Sequence, residues 1–133
     1  MKTKAVLTLT EVRSILDAAE QHARAQGWAV SIAVVDDGGH ALGLLRLDDA
    51  SPVSAEIALG KARTAALGRR DSEGYEDMIN QGRTAFVSAP LPVMLTGGVV
   101  LRIDGQVIGA VGVSGVRPEQ DAETARAGIA AVV

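Results

Sequence analysis

The stretch AVSIAVVDDGGHALGLLRLD, Ala29 to Asp48, decides the fold. Its first half, AVSIAVVD (Ala29–Asp36), is rich in β-branched residues and apolar on both faces, as expected of a strand covered on both sides. DDGGH (Asp36–His40) reads as a turn, because its two glycines take positive φ without steric penalty. ALGLLRLD (Ala41–Asp48) returns as a second strand, which makes the pair an antiparallel hairpin. A second hairpin is expected where Val99–Ile103 and Gln106–Val113 flank Asp104-Gly105, a strong two-residue turn signal. VIGAVGV within it is again apolar on both faces. The two doubly apolar runs should therefore lie side by side in the middle of one sheet, with helices on both faces. A short edge strand is expected at Val93–Leu95, where Pro90 and Pro92 suit an edge.

Helices fill the spaces between these strands. Thr8 and Glu11 have capping-box spacing, and Val12, Ile15, Leu16, Ala19 and Ala23 recur at helical spacing up to Gly27. Ser51 and Pro52 open a second helix that runs to about Leu67. A short helix is expected around Tyr75–Asn80 within a polar, glycine-punctuated segment. Pro118 opens the last helix, with Ala122, Ala125, Ile129 and Val132 as its buried stripe. The order helix, hairpin, helix, strands, helix has no repeating βαβ unit, so the class is α+β.

The 133 residues form one expected domain, 1–133, long enough to bury roughly two-thirds of the unfolded surface. Hydrophobic residues make up 47% but aromatics only 2%, so the core is aliphatic. The net charge of −3, with both signs interspersed, offers no basic stripe for phosphates and too few rings to stack bases. No nucleic-acid partner is expected. With no cysteine there is no disulfide, thiolate nucleophile or Cys-ligated zinc. The N-terminal apolar run is too short for a signal h-region, and no stretch could span a bilayer, so a cytoplasmic protein without a membrane partner is expected.

Chemistry-bearing residues are few. His22 borders the apolar stripe of the first helix and reads either as a boundary residue or as an axial ligand to a metal or haem. His40 ends the DDGGH turn and reads as a surface residue, or with Asp36 and Asp37 as part of a cation site. No serine lies in a GxSxG elbow, and Gly109, Gly112 and Gly115 lack the lysine and helix of a phosphate loop. Lys61 shares a helix face with Ile57 and Thr64, where it either anchors an anion or snorkels to water. Asp121 sits in the first turn of the last helix, which the helix dipole alone explains.

Three stretches carry a resemblance: Ile32–Ala66, Gly97–Gly115 and Glu119–Asp121. Asp36, Gly38, Gly39, Arg46, Asp48, Lys61, Ala62, Thr64, Ala65, Gly97, Gly98, Asp104, Gly105, Gly109, Gly112, Ser114, Gly115 and Asp121 fall on the pattern of the haem-degrading HbpS / GlcG / PduO C-terminal family. The chain resembles that family over nearly its whole length. Val100 replaces the usual proline after the glycine pair, and Arg69–Ala89 departs from the pattern. The resemblance implies a profilin-like three-layer α/β/α fold with a five-stranded antiparallel sheet. It also implies homo-oligomers, tetramers or octamers, and haem or another tetrapyrrole bound near the subunit surface.

Candidate cofactor-binding residues are then His22, as ligand to haem iron, with Lys61, Thr64, Gly97 and Gly98. Asp36, Gly39, His40, Arg46 and Asp121 are candidates for a ligand pocket. Two alternatives to a small-ligand binding protein stay open. One is an enzyme acting on a small hydroxy or keto acid, with Lys61 holding the carboxylate and Asp36 or His40 as base. The other is a structural assembly subunit.

Overall fold

The computed structural model describes residues 1–133. Four helices enclose one antiparallel sheet: α1 (Leu9–Gln26), β1 (Ser31–Asp36), β2 (Ala41–Arg46), α2 (Pro52–Gly68), α3 (Glu73–Asn80), β3 (Gly98–Ile103), β4 (Gln106–Ser114) and α4 (Pro118–Ile129). A 3-10 turn at Thr84–Ser88 follows α3. The strand order is β2-β1-β4-β3, so the two doubly apolar runs are neighbours at the centre, as the sequence implies. Ile32 lies opposite Val113, and Asp36 opposite Gly109.

The sheet has four strands, not five. The expected edge strand at Val93–Leu95 is a loop. Pro90 and Pro92 remove donors that a ladder would need. The backbone N–H groups nearby go to helix side chains instead: Val93 donates to Thr64 Oγ1 at 3.0 Å, and Thr96 to Glu76 Oε1 at 2.9 Å. The outer edge of β3 is capped by the chain after α2, where Asp71 Oδ1 accepts the Val100 N–H and the Ser72 N–H donates to the Gly98 carbonyl.

Strand alternation sorts the core into two layers. On one face Ile32, Val34, Val111 and Val113 pack against Val12, Ile15 and Ala19 of α1 and Ala122 and Ala125 of α4. On the other, Ala33, Val35 and Ala110 meet Ala58, Ala62, Ala65 and Ala66 of α2. The second layer is built almost wholly from small residues, so α2 lies close on the sheet. A Cβ on Gly112 would stand 2.0 Å from the Ala58 carbonyl oxygen.

Helix ends follow the sequence signals. Glu11 accepts the Thr8 N–H at 2.8 Å and also the Thr8 hydroxyl. Gly27 closes α1 at φ 74° in the left-handed region. The stripe of α4 departs from expectation: Asp121, Thr124 and Gly128 are buried beside Ala122 and Ala125, while Val132 lies beyond the helix end. No helix is long and apolar enough to cross a membrane.

Candidate functional site

Two of the sequence candidates meet in the interior. Lys61 Nζ donates to Asp121 Oδ2 at 2.9 Å and to the Val113 carbonyl at 3.0 Å, and both side chains are at most 5% exposed. Asp121 also accepts the Val116 N–H through Oδ1 at 3.2 Å, so neither carboxylate oxygen lacks a donor. Burial pushes the Asp121 carboxyl above its ordinary range, and the Lys61 ammonium offsets part of that. The glycine pair makes room for the contact. A Cβ on Gly97 (φ 132°) would stand 2.8 Å from Lys61 Nζ, and one on Gly98 2.2 Å from the Lys61 carbonyl oxygen. Lys61, Gly97, Gly98 and Asp121 thus form one clamp joining α2 and α4 past the end of the sheet. Thr64, one turn on, is buried and holds the loop at Val93.

The DDGGH turn is held by its first aspartate. Asp36 Oδ1 accepts the N–H groups of Gly38 and His40, each at 2.9 Å, and the His40 ring sits 3.1 Å away. Gly39 takes φ 81° and lies over Arg63 and Leu67 of α2. The His40 side chain is 81% exposed. Arg46 is exposed at the far end of β2, opposite Ser31.

His22 stands near the end of α1. Its Nε2 is 2.7 Å from Glu123 Oε2, and its ring meets Trp28 edge-on with centroids 5.8 Å apart. The imidazole is half-buried, and Glu123 is exposed. Asp121 and Glu123 lie two apart on α4 and so point opposite ways, one inward to Lys61 and the other out to His22. Beside Trp28 is an open cleft of about 370 Å³ lined by Arg24, Ala29, Leu47, Asp48 and Asp49 among others.

These placements separate candidates that the sequence could only group. Lys61 reaches Val113, opposite Ile32, whereas Asp36 and His40 lie at the other end of β1. Four strand residues at ~3.3 Å each put about 13 Å between the two ends. The buried clamp and the Asp36–His40 turn therefore do not face one small substrate. No group of three His, Asp or Glu side chains could hold a metal ion. Glu123 and Trp28 are the partners of His22 that sequence reasoning missed. The lone tryptophan directly after the helix-ending glycine was the available signal.

Comparison with known proteins places this geometry. The family model described as haem degrading protein HbpS-like matches residues 7–130. Protein GlcG of Escherichia coli K12 is 57% identical over 114 residues, covering 86% of this chain and 85% of that protein. A double mutant of HbpS from Streptomyces reticuli superposes with a TM-score of 0.90 at 31% identity, covering 100% of this chain and 91% of the other. PduOC solved in complex with haem superposes with a TM-score of 0.86 at 29% identity, covering 96% of each chain. The chain belongs to the haem degrading protein HbpS-like family.

Proposed function

We propose that this protein binds a tetrapyrrole, haem first among them, with His22 as ligand to the iron and a second copy of the chain covering the bound group. The observation that carries this reading is the setting of His22. It is a half-buried imidazole with a carboxylate on one ring nitrogen and the Trp28 ring at its edge. Metal-binding histidines commonly have a carboxylate partner that fixes the ring and raises its basicity. The similarity to PduOC in complex with haem supports the same ligand class on the same scaffold.

The residues present fit the group. With Glu123 on Nε2, Nδ1 is the ring nitrogen that would be left for iron. Trp28, Ala29 and Leu47 give apolar cover for a macrocycle edge, and Arg24 offers a cation for a propionate. Asp48 and Asp49 turn propionates away from that side. Haem, when bound, supplies a redox-active iron; the chain's own residues bind and orient it and exclude water from one face.

Self-association is supported by a separate surface. Leu44 lies opposite Ala33 and hence on the α2 face of the sheet, where it is exposed, as are Leu42 beside it and Val53 and Leu67 of α2. A helix apolar on several sides, with part of that surface open, suits contact with another subunit.

Haemin titration of the purified protein, followed by absorbance, tests the reading. A saturable Soret change near one haem per subunit or per dimer is expected. A spectrum that grows without saturation would overturn it.

A further inference from the structure

We propose that the cleft between Lys4, Arg69 and Arg102 is a binding site for a compact dianion carrying carboxylate or phosphate oxygens, separate from the tetrapyrrole site. The cleft measures about 310 Å³ and is lined by these three cations with Gly105, Gln106 and Val107. No carboxylate is among its lining residues, although the chain as a whole carries a net charge of −3. Such a volume holds about ten water-sized groups at ~30 Å³ each, which suits a small anion.

The cations are positioned before any ligand arrives. Arg69 Nη1 donates to the Ala66 carbonyl at 2.8 Å and to the Asp37 carbonyl, which fixes the guanidinium at the end of α2. Arg102 Nη2 donates to the Arg69 carbonyl at 2.8 Å, and its other N–H groups have no partner within the chain. Arg102 pairs with no carboxylate, and the Gln106 amide is likewise uncommitted. Asp37, held by Lys4 and 3.8 Å from Arg69 Nη2, is the carboxylate paired with these cations, and Arg102 also borders Asp71, Glu73 and Asp77 in an adjoining cleft. The lining of this cleft itself stays cationic. A planar guanidinium with free N–H groups matches a carboxylate or phosphate edge through paired hydrogen bonds.

The cleft lies where both hairpin turns and the end of α2 converge. His22 is at the other end of the sheet, beside Trp28. The six residues of β1 span about 20 Å at ~3.3 Å each, so one ligand does not reach both.

The test is a thermal-shift and calorimetric titration with inorganic phosphate and, in parallel, malonate, at ionic strength held constant with sodium chloride. Saturable binding of at least one of the two is expected, weakened tenfold or more in Arg102→Gln and in Lys4→Gln, and unchanged in the distant Arg126→Gln. Phosphate alone or malonate alone would keep the site and name its oxygen chemistry. If Arg102→Gln is unstable, Arg102→Lys keeps the charge but loses the fork, and should still weaken binding severalfold with the circular dichroism unchanged. No saturable binding of either anion, or equal binding by wild type and Arg102→Gln, would overturn the proposal. Haemin binding by Arg102→Gln should match wild type, so this site and the His22 reading fail independently.

Discussion

Among the ionisable residues, Lys61 and Asp121 are the most tightly constrained, since each is the other's only countercharge in the interior. Removing one partner strands the other. Lys61→Met should therefore destabilise the fold by about 3–5 kcal/mol in denaturant unfolding at pH 7, and Lys61→Met with Asp121→Leu should recover most of that. The pH dependence has a definite sign. A group whose folded pKa is raised, as burial raises that of Asp121, stabilises below its unfolded value and loses that contribution as pH rises through the folded value. Loss of Lys61 raises it further, so the gap between wild type and Lys61→Met should widen from pH 4 to pH 8. Unfolding curves across that range check it.

Two surface aspartates behave oppositely. Burial works against ionisation of Asp36, but the His40 and Gly38 N–H groups and the His40 ring outweigh it and hold the carboxyl low. The Lys4 ammonium, helped by Arg69, does the same for Asp37 against a smaller burial effect. Their contribution is present above the unfolded carboxyl range and fades as pH falls through their lowered values. Wild type should lose stability below about pH 4, and less steeply in high salt, which screens the Lys4–Asp37 pair.

At the scale of elements, backbone proximity sets the tolerance to substitution. A Cβ at Gly112 would sit 2.0 Å from the Ala58 oxygen and 2.6 Å from the Ala62 nitrogen, both backbone atoms of α2. Gly112→Ala should cost at least about 1–3 kcal/mol, because the whole helix must lift. Gly105, at φ 77° in the β3–β4 turn, has open space around its missing Cβ, so Gly105→Ala should lose only about 1 kcal/mol from backbone strain. Chemical denaturation of the two variants compares close packing with conformational strain directly.

The same scale shows what the sequence could and could not say. The hairpins were legible because Asp36–His40 and Asp104-Gly105 are local signals flanked by doubly apolar runs. The start of α1 was legible through Thr8 and Glu11. The edge strand at Val93–Leu95 was misjudged because a short apolar run beside prolines does not reveal where its N–H groups go. Here Thr64 and Glu76, on helices distant in sequence, take them. Lys61, the glycine pair and Asp121 were each visible as candidates. Their union was not, since the Lys61–Asp121 contact joins residues 60 apart. The His22–Glu123 contact spans 101, and the cleft of Lys4, Arg69 and Arg102 likewise gathers residues from three separate segments.

For the whole molecule, the sheet order β2-β1-β4-β3 has His22 and Trp28 at one end and the basic cleft at the other, with the buried clamp joining α2 to α4. The exposed leucines of β2 and Val53 of α2 are expected to meet another copy. Leu44→Asp with Val53→Asp should shift the light-scattering mass to that of a smaller species while far-UV circular dichroism stays the same. An unchanged mass would move the subunit contact elsewhere.

The central claim concerns His22, and its most direct test is the absorbance spectrum of the haemin complex of wild type beside His22→Ala, with and without added imidazole. A saturable Soret band that is lost or shifted in His22→Ala, restored by imidazole and unaffected by His40→Ala, is the predicted result. A His22→Ala complex with the wild-type spectrum and affinity would contradict it.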